Sequence, residues 1–154
     1  MKKIPLLPSY FRWIGLILIL IAVLLYAYDA FYESTEFYIR TFVVINDTPL
    51  SEKGFMKLMK VDIFLTLLLL SLLLGLGLIA FSRSRKEDEM INSLRLYSWS
   101  WAVILTLSLG ILMTVFVFGA SFIAFAFLFG HLLLLMYIAI FNYNLFKLNR
   151  THEE

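Results

Sequence analysis

The chain has 154 residues, of which 62% are hydrophobic, 17% aromatic and only 16% charged, against roughly 45–50% apolar and about 25% charged usage in soluble domains. With a mean hydropathy of +0.89, that composition excludes an ordinary soluble globular domain and makes lipid the solvent for most of the chain. The absence of cysteine excludes a disulfide framework, a thiolate nucleophile and a Cys-ligated metal site. A net charge of +2 is too balanced for phosphate-backbone binding, so no nucleic-acid partner is expected.

A membrane-crossing helix needs about 20 mostly apolar residues. Three stretches are free of Asp, Glu, Lys and Arg: Trp13 to Tyr28, Ile63 to Ser82, and Leu96 to Phe146. The last holds 51 residues and would reach about 76 Å as one helix, so it must fold back once. Gly119-Ala120-Ser121 is the natural break in its run of large residues. The expected fold is all-α, a polytopic membrane protein with one domain over 1–154. Its antiparallel four-helix bundle has helices at about 10–32, 62–82, 96–118 and 121–146, an outer segment 33–61 and an inner loop 83–95. Lys2-Lys3 before the first apolar run resembles the start of a signal peptide. No small-residue cleavage site follows it, because Ala27 and Ala30 are flanked by Tyr28, Asp29 and Phe31, so a retained anchor is expected.

Positive residues stay on the cytoplasmic side. Nine Lys and Arg, including Lys2, Lys3, Arg12, Arg83, Arg85, Lys86 and Arg95, fall on one side of the four spans, against Arg40, Lys53, Lys57 and Lys60 on the other. Both termini are therefore expected in the cytoplasm. Trp13, Trp99 and Trp101 then mark the inner interface, and Tyr26, Tyr28 and Tyr32 the outer one.

In the outer segment, Phe37-Tyr38-Ile39 and Phe42-Val43-Val44-Ile45 suit either a strand or a helical turn. Asn46-Asp47-Thr48-Pro49 reads as a helix start, and a helix from about Pro49 would separate Lys53, Lys57 and Lys60 from Leu50, Phe55, Met56 and Met59. That predicts an interfacial amphipathic helix leading into the second span. The inner loop carries Arg83-Ser84-Arg85-Lys86-Glu87-Asp88-Glu89, in which Arg83 with Glu87 and Arg85 with Glu89 stand four apart. On a third helix that begins before the membrane, Asp88, Asn92 and Arg95 share one face, opposite Met90, Ile91, Leu94 and Trp101. Such a face is either simply solvated or a docking surface for a protein partner formed by Glu87, Asp88, Glu89, Asn92 and Arg95.

The one ionisable residue at mid-membrane depth is His131, flanked by Gly130 and leucines. His152 lies in the tail, so bis-histidine haem ligation within one chain is excluded, and no cofactor is expected. The favoured reading is a neutral imidazole hydrogen-bonded to a serine, threonine or backbone carbonyl of a neighbouring helix, for example Thr106, Ser108 or Thr114; the alternative is a small transporter or channel subunit with His131 in the path. No carboxylate lies at that depth, which argues against proton-coupled export. Asp29, Glu33 and Glu36 could line one face at the outer rim, but hydration or pairing with Lys57 and Lys60 is favoured over a metal site, and no catalytic motif is present. Small residues four apart, Ser71 with Gly75, Ala120 with Ala124 and Ala126 with Gly130, suit close helix packing within the chain or between copies in a homo-oligomer.

The run Ile79-Ala80-Phe81-Ser82, then Glu87-Asp88-Glu89-Met90-Ile91, Leu94-Arg95-Leu96, Ser98, Trp101-Ala102-Val103 and Phe141-Asn142-Tyr143 resembles an uncharacterised family of small four-helix bacterial inner-membrane proteins. Asp47-Thr48-Pro49-Leu50-Ser51, Gly54-Phe55 and Lys57 are similar to that family's outer loop, and about two-thirds of the chain is covered. Ser100 before Trp101, where the family pattern has a bulkier polar residue, and the leucine-rich last helix with His131 depart from the pattern. The resemblance implies a bacterial inner-membrane location. Members are often encoded beside small helix-turn-helix regulators, which implies a sensory or regulatory accessory role. The expected function is thus a non-enzymatic membrane protein whose inner loop engages a cytoplasmic or membrane protein partner.

Overall fold

The computed structural model describes residues 6–31, 37–46, 54–84 and 89–151. In chain order these form α1 (Phe11–Phe31), β1 (Tyr38–Asn46), β2 (Gly54–Asp62), α2 (Phe64–Ala80), α3 (Glu89–Phe116) and α4 (Ala120–Thr151). The protein is mostly helical, and α1, α3 and α4 are long and apolar enough to cross a membrane. The apolar helix α2 is shorter, at 17 residues. As expected, α3 starts well before the apolar run at Leu96, and the long stretch breaks at Gly119, whose φ of +78° is a conformation that glycine adopts without steric cost. The Gly119 carbonyl accepts from the amides of Phe122 and Ile123, starting α4. Large side chains such as Trp13, Leu20, Leu74, Ile111 and Phe127 face outward along the helices, as a lipid solvent permits.

Two compact units make up the chain, Met1–Ile19 with Leu72–Glu154, and Leu20–Ser71. In the first, α3 and α4 pack antiparallel, and the core consists of Ala80, Ile91, Ala102, Tyr137 and Phe141. The buried stripe of α3 is Ile91, Arg95, Ser98, Ala102 and Thr106, spaced along one helical face. Met90, Leu96, Tyr97 and Trp101 turn outward. This differs from the face read from the sequence, which grouped Arg95 with exposed polar residues and Ile91 with Met90 and Trp101. In lipid, large apolar side chains gain nothing by turning inward, so small and hydrogen-bonding residues take the helix contacts instead.

In the same unit α1 and α2 meet at Gly15 and Gly75. A Cβ on Gly15 would stand 2.6 Å from the Gly75 carbonyl oxygen, and one on Gly75 would stand 2.9 Å from the Gly15 carbonyl oxygen. Of the small-residue pairs, Gly75 is thus engaged within the chain, whereas Ala120, Ala124, Ala126 and Gly130 are exposed. Gly110 instead receives the ring of Phe129.

In the unit Leu20–Ser71, β1 and β2 form an antiparallel hairpin running from Tyr38 opposite Asp62 to Asn46 opposite Gly54. The amphipathic helix expected here is corrected over 54–62: these residues are a strand, with Lys57 opposite Val43 and Lys60 opposite Arg40. Of the expected helix start, Asn46 ends β1, and residues 47–53 lie outside the described residues. The reason is pairing. Tyr38–Val44 is rich in aromatic and β-branched residues, and the ladder it offers satisfies backbone groups that a short isolated helix would hold only marginally. The ladder skips Val44 and Met56, where φ is +48°. At its base, Asp62 Oδ1 accepts from the amides of Phe37 at 2.9 Å and Phe64 at 3.0 Å, closing the hairpin and opening α2.

The glycine contact yields a paired prediction. Gly15→Ala forces two backbones apart and should cost about 1–3 kcal/mol. Gly77→Ala, with nothing within 4 Å of an added Cβ, should leave stability unchanged or slightly raised. Melting of both variants in neutral detergent checks this; equal losses would contradict it.

Candidate functional site

Helix α3 begins early enough that Arg95 falls on its packed stripe, where the side chain is only 5% exposed. Its Nη1 lies 3.4 Å from the carbonyl oxygens of Ala80 and Ser82 and 3.5 Å from the Tyr137 hydroxyl, and Nη2 lies 3.5 Å from Ser84 Oγ. The guanidinium carbon stands 4.9 Å from the centroid of the Phe141 ring, within cation–π reach. These bonds are long against the usual 2.9–3.0 Å, and Nε has no hydrogen-bond partner. Among the described residues no carboxylate pairs with Arg95.

The surroundings are held firmly. Trp99 meets Tyr137 edge-on at 4.7 Å, and Tyr137 stacks near Phe141 at 5.9 Å. The residues leaving α2 are clamped by the segment before α1: the Leu7 amide donates to the Phe81 carbonyl and the Arg83 amide to the Leu7 carbonyl, both at 2.9 Å. Ser82 is fully buried, donates from Oγ to the Ile79 carbonyl at 2.9 Å, and accepts from Arg12 Nε at 3.3 Å. Between these groups lies a cavity of about 240 Å³, lined by Arg12, Ser82, Arg95, Tyr137, Phe141 and Asn142 among others. Two guanidinium groups on one partly enclosed cavity, with no described acid beside either, make its interior positive.

Of the residues picked out in the sequence for partner binding, Glu87 and Asp88 lie outside the described residues. Glu89 is exposed in the first turn of α3 and Asn92 is half-buried. Arg95 is inside, facing the end of α2 and α4. His131 is buried on α4 at 6% exposure. Extending the α3–α4 register set by Arg95 with Phe141 and Trp99 with Tyr137 brings Thr106 level with it. The Thr106 hydroxyl, however, is buried without a hydrogen-bond partner. Ser108 and Thr114 are exposed and donate to the carbonyls of Ile104 and Gly110 on their own helix. His131 does not line the cavity at Arg95. No group of three or more potential metal ligands occurs among the described residues.

Sequence reading missed Arg12, Ser82 and Tyr137 as companions of Arg95. The signal available was the spacing of Arg95, Ser98, Ala102 and Thr106, which places a charge on a stripe of small residues. No family model, curated protein or solved structure matches the chain.

Taking a guanidinium out of water costs several kcal/mol, and long bonds with one N–H unmatched repay only part of it. Arg95→Met, which keeps the side chain's length and apolar stem, should therefore leave the melting temperature in neutral detergent unchanged or raised. A fall of more than about 5 °C, roughly 2 kcal/mol for a chain this size, would mean that the bonds outweigh the desolvation.

Proposed function

We propose that the chain is a non-enzymatic integral protein of a bacterial inner membrane, an accessory or regulatory subunit that engages a protein partner through its inner loop 83–95. In this reading all four helices cross, as an antiparallel bundle with both termini cytoplasmic. The 17 residues of α2 rise about 26 Å. That is close to a hydrocarbon core of about 30 Å, and Ile63 and Phe81 extend the apolar length at either end.

The observation that carries the reading is that both ends of the inner loop are tied to one another. Its exit from α2 is clamped at Phe81 and Arg83 by Leu7, and the helix that receives it returns the Arg95 side chain to the carbonyls of Ala80 and Ser82. The described segments on either side of the acidic run Glu87-Asp88-Glu89 are therefore held to one another. Fixing those segments beforehand reduces the ordering entropy lost on association, and the carboxylates favour a partner with a basic surface.

Two measurements test this. Because the chain has no cysteine, single cysteines report sidedness directly. Thr48→Cys should react with a membrane-impermeant maleimide in intact cells, and Ser93→Cys only after permeabilisation; the reverse pattern overturns the orientation. Replacing Glu87, Asp88 and Glu89 together with alanine should preserve insertion while abolishing recovery of a cross-linked partner from native membranes. Equal recovery from the wild type and the triple variant, or no specific cross-link to the wild type, would remove the loop from the function.

A further inference from the structure

We propose that the cavity between Arg12 and Arg95 is a binding site for a phosphate-bearing anion. The proposal does not depend on a protein partner for the inner loop and can fail or hold separately from it.

The charge comes first. Arg95 is buried, its Nε–H is unmatched, and its four hydrogen bonds lie at 3.4–3.5 Å, all to neutral oxygens. Arg12 reaches the same cavity from α1 with its Nε on Ser82. A pair of buried or half-buried guanidinium groups with no described carboxylate is an arrangement that an anion completes, since buried charges are ordinarily paired. The donor chemistry narrows the class. Tyr137 uses its oxygen to accept from Arg95, which leaves its O–H to donate, and Asn142, whose amide has two N–H groups, is among the lining residues. Residues with donor groups line the cavity from α1, α3 and α4, and a tetrahedral oxyanion with three or four acceptor oxygens can engage more of them at once than a planar carboxylate with two.

Size and wall chemistry narrow it again. The cavity of about 240 Å³ is larger than the anion needs, and Leu16, Ile138 and Phe141 supply apolar wall beside the polar end. That combination fits a phosphoester whose oxygen-linked carbon chain lies along the wall. The headgroup of an anionic lipid and a soluble phosphoester share this chemistry, and separate arms of one experiment distinguish them.

In the first arm, full-length protein is reconstituted in vesicles of phosphatidylglycerol and phosphatidylcholine in equal amounts, and retained lipid is counted by native mass spectrometry. In the second, inorganic phosphate is titrated against the protein in neutral detergent, with Trp99, which touches Tyr137, as fluorescence reporter. Selective retention of phosphatidylglycerol assigns the site to a lipid headgroup. Saturable phosphate binding without lipid selectivity assigns it to a soluble phosphoester. In either case Arg95→Met should weaken binding about tenfold or more, which is at least about 1.4 kcal/mol. Arg150→Met, which removes an exposed arginine stacked on Phe146, should leave binding unchanged. Arg12→Met serves as the second variant should Arg95→Met fail to fold. Absence of both lipid selectivity and phosphate binding overturns the proposal, as does wild-type binding by the arginine variants or an equal loss in Arg150→Met.

Discussion

Burying the Arg95 guanidinium obliges several chain segments to meet at one level. The charge needs acceptors, and the carbonyl oxygens nearest to it are those that α2 leaves exposed as it ends, at Ala80 and Ser82. Helix ends carry such orphan carbonyls by construction, so an arginine one stripe away on α3 answers a need as well as creating one. The Phe141 face and the Tyr137 hydroxyl on α4 close the other side. The segment before α1 then joins through Leu7, and α1 itself through Arg12, each bonding to residues 81–83. Arg95 thus touches the end of α2 and the face of α4 at once.

The packing around that charge follows the logic of a lipid solvent. Ser98 and Ala102 are wholly buried on α3, and Gly15 and Gly75 bring α1 and α2 to backbone contact. The large residues face outward. With no hydrophobic drive between helices in a bilayer, association rests on close approach and on polar contacts. Ser71 and Ser98 are buried with their hydroxyls satisfied inside their own helices, on the carbonyls of Leu68 and Leu94. Arg95 and Arg12 add polar side chains that bond from one element to another within this unit. These contacts lie at the level where α2 ends and α3 begins.

Much of the fold was legible in the sequence. The four apolar segments, the early start of α3 and the turn at Gly119 each rest on a strong local signal: length without charge, an amphipathic lead-in, and a glycine in a run of bulky residues. The hairpin was not legible, because Gly54–Asp62 mixes lysines and apolar residues in a pattern that suits a short helix as well as a strand. What decides it is the partner strand Tyr38–Asn46, a non-local term. The site was half legible. Arg95 was picked out, but on the wrong side of its helix, since a rule drawn from water assigns charge outward and Ile91 inward, whereas here both are buried. Ser82 and Tyr137 carry no sequence signal by themselves; they gain meaning only when the ends of α2 and α4 are brought beside α3.

An experimental map of the full chain in lipid nanodiscs prepared from native membranes tests the central claim most directly, that a buried arginine with no acid beside it among the described residues organises this end of the protein around an anion. The prediction is an inward Arg95 with tetrahedral density within hydrogen-bonding distance of both Arg12 and Arg95. An Arg95 turned to solvent, or a carboxylate of the chain itself seated between the two arginines, would contradict it.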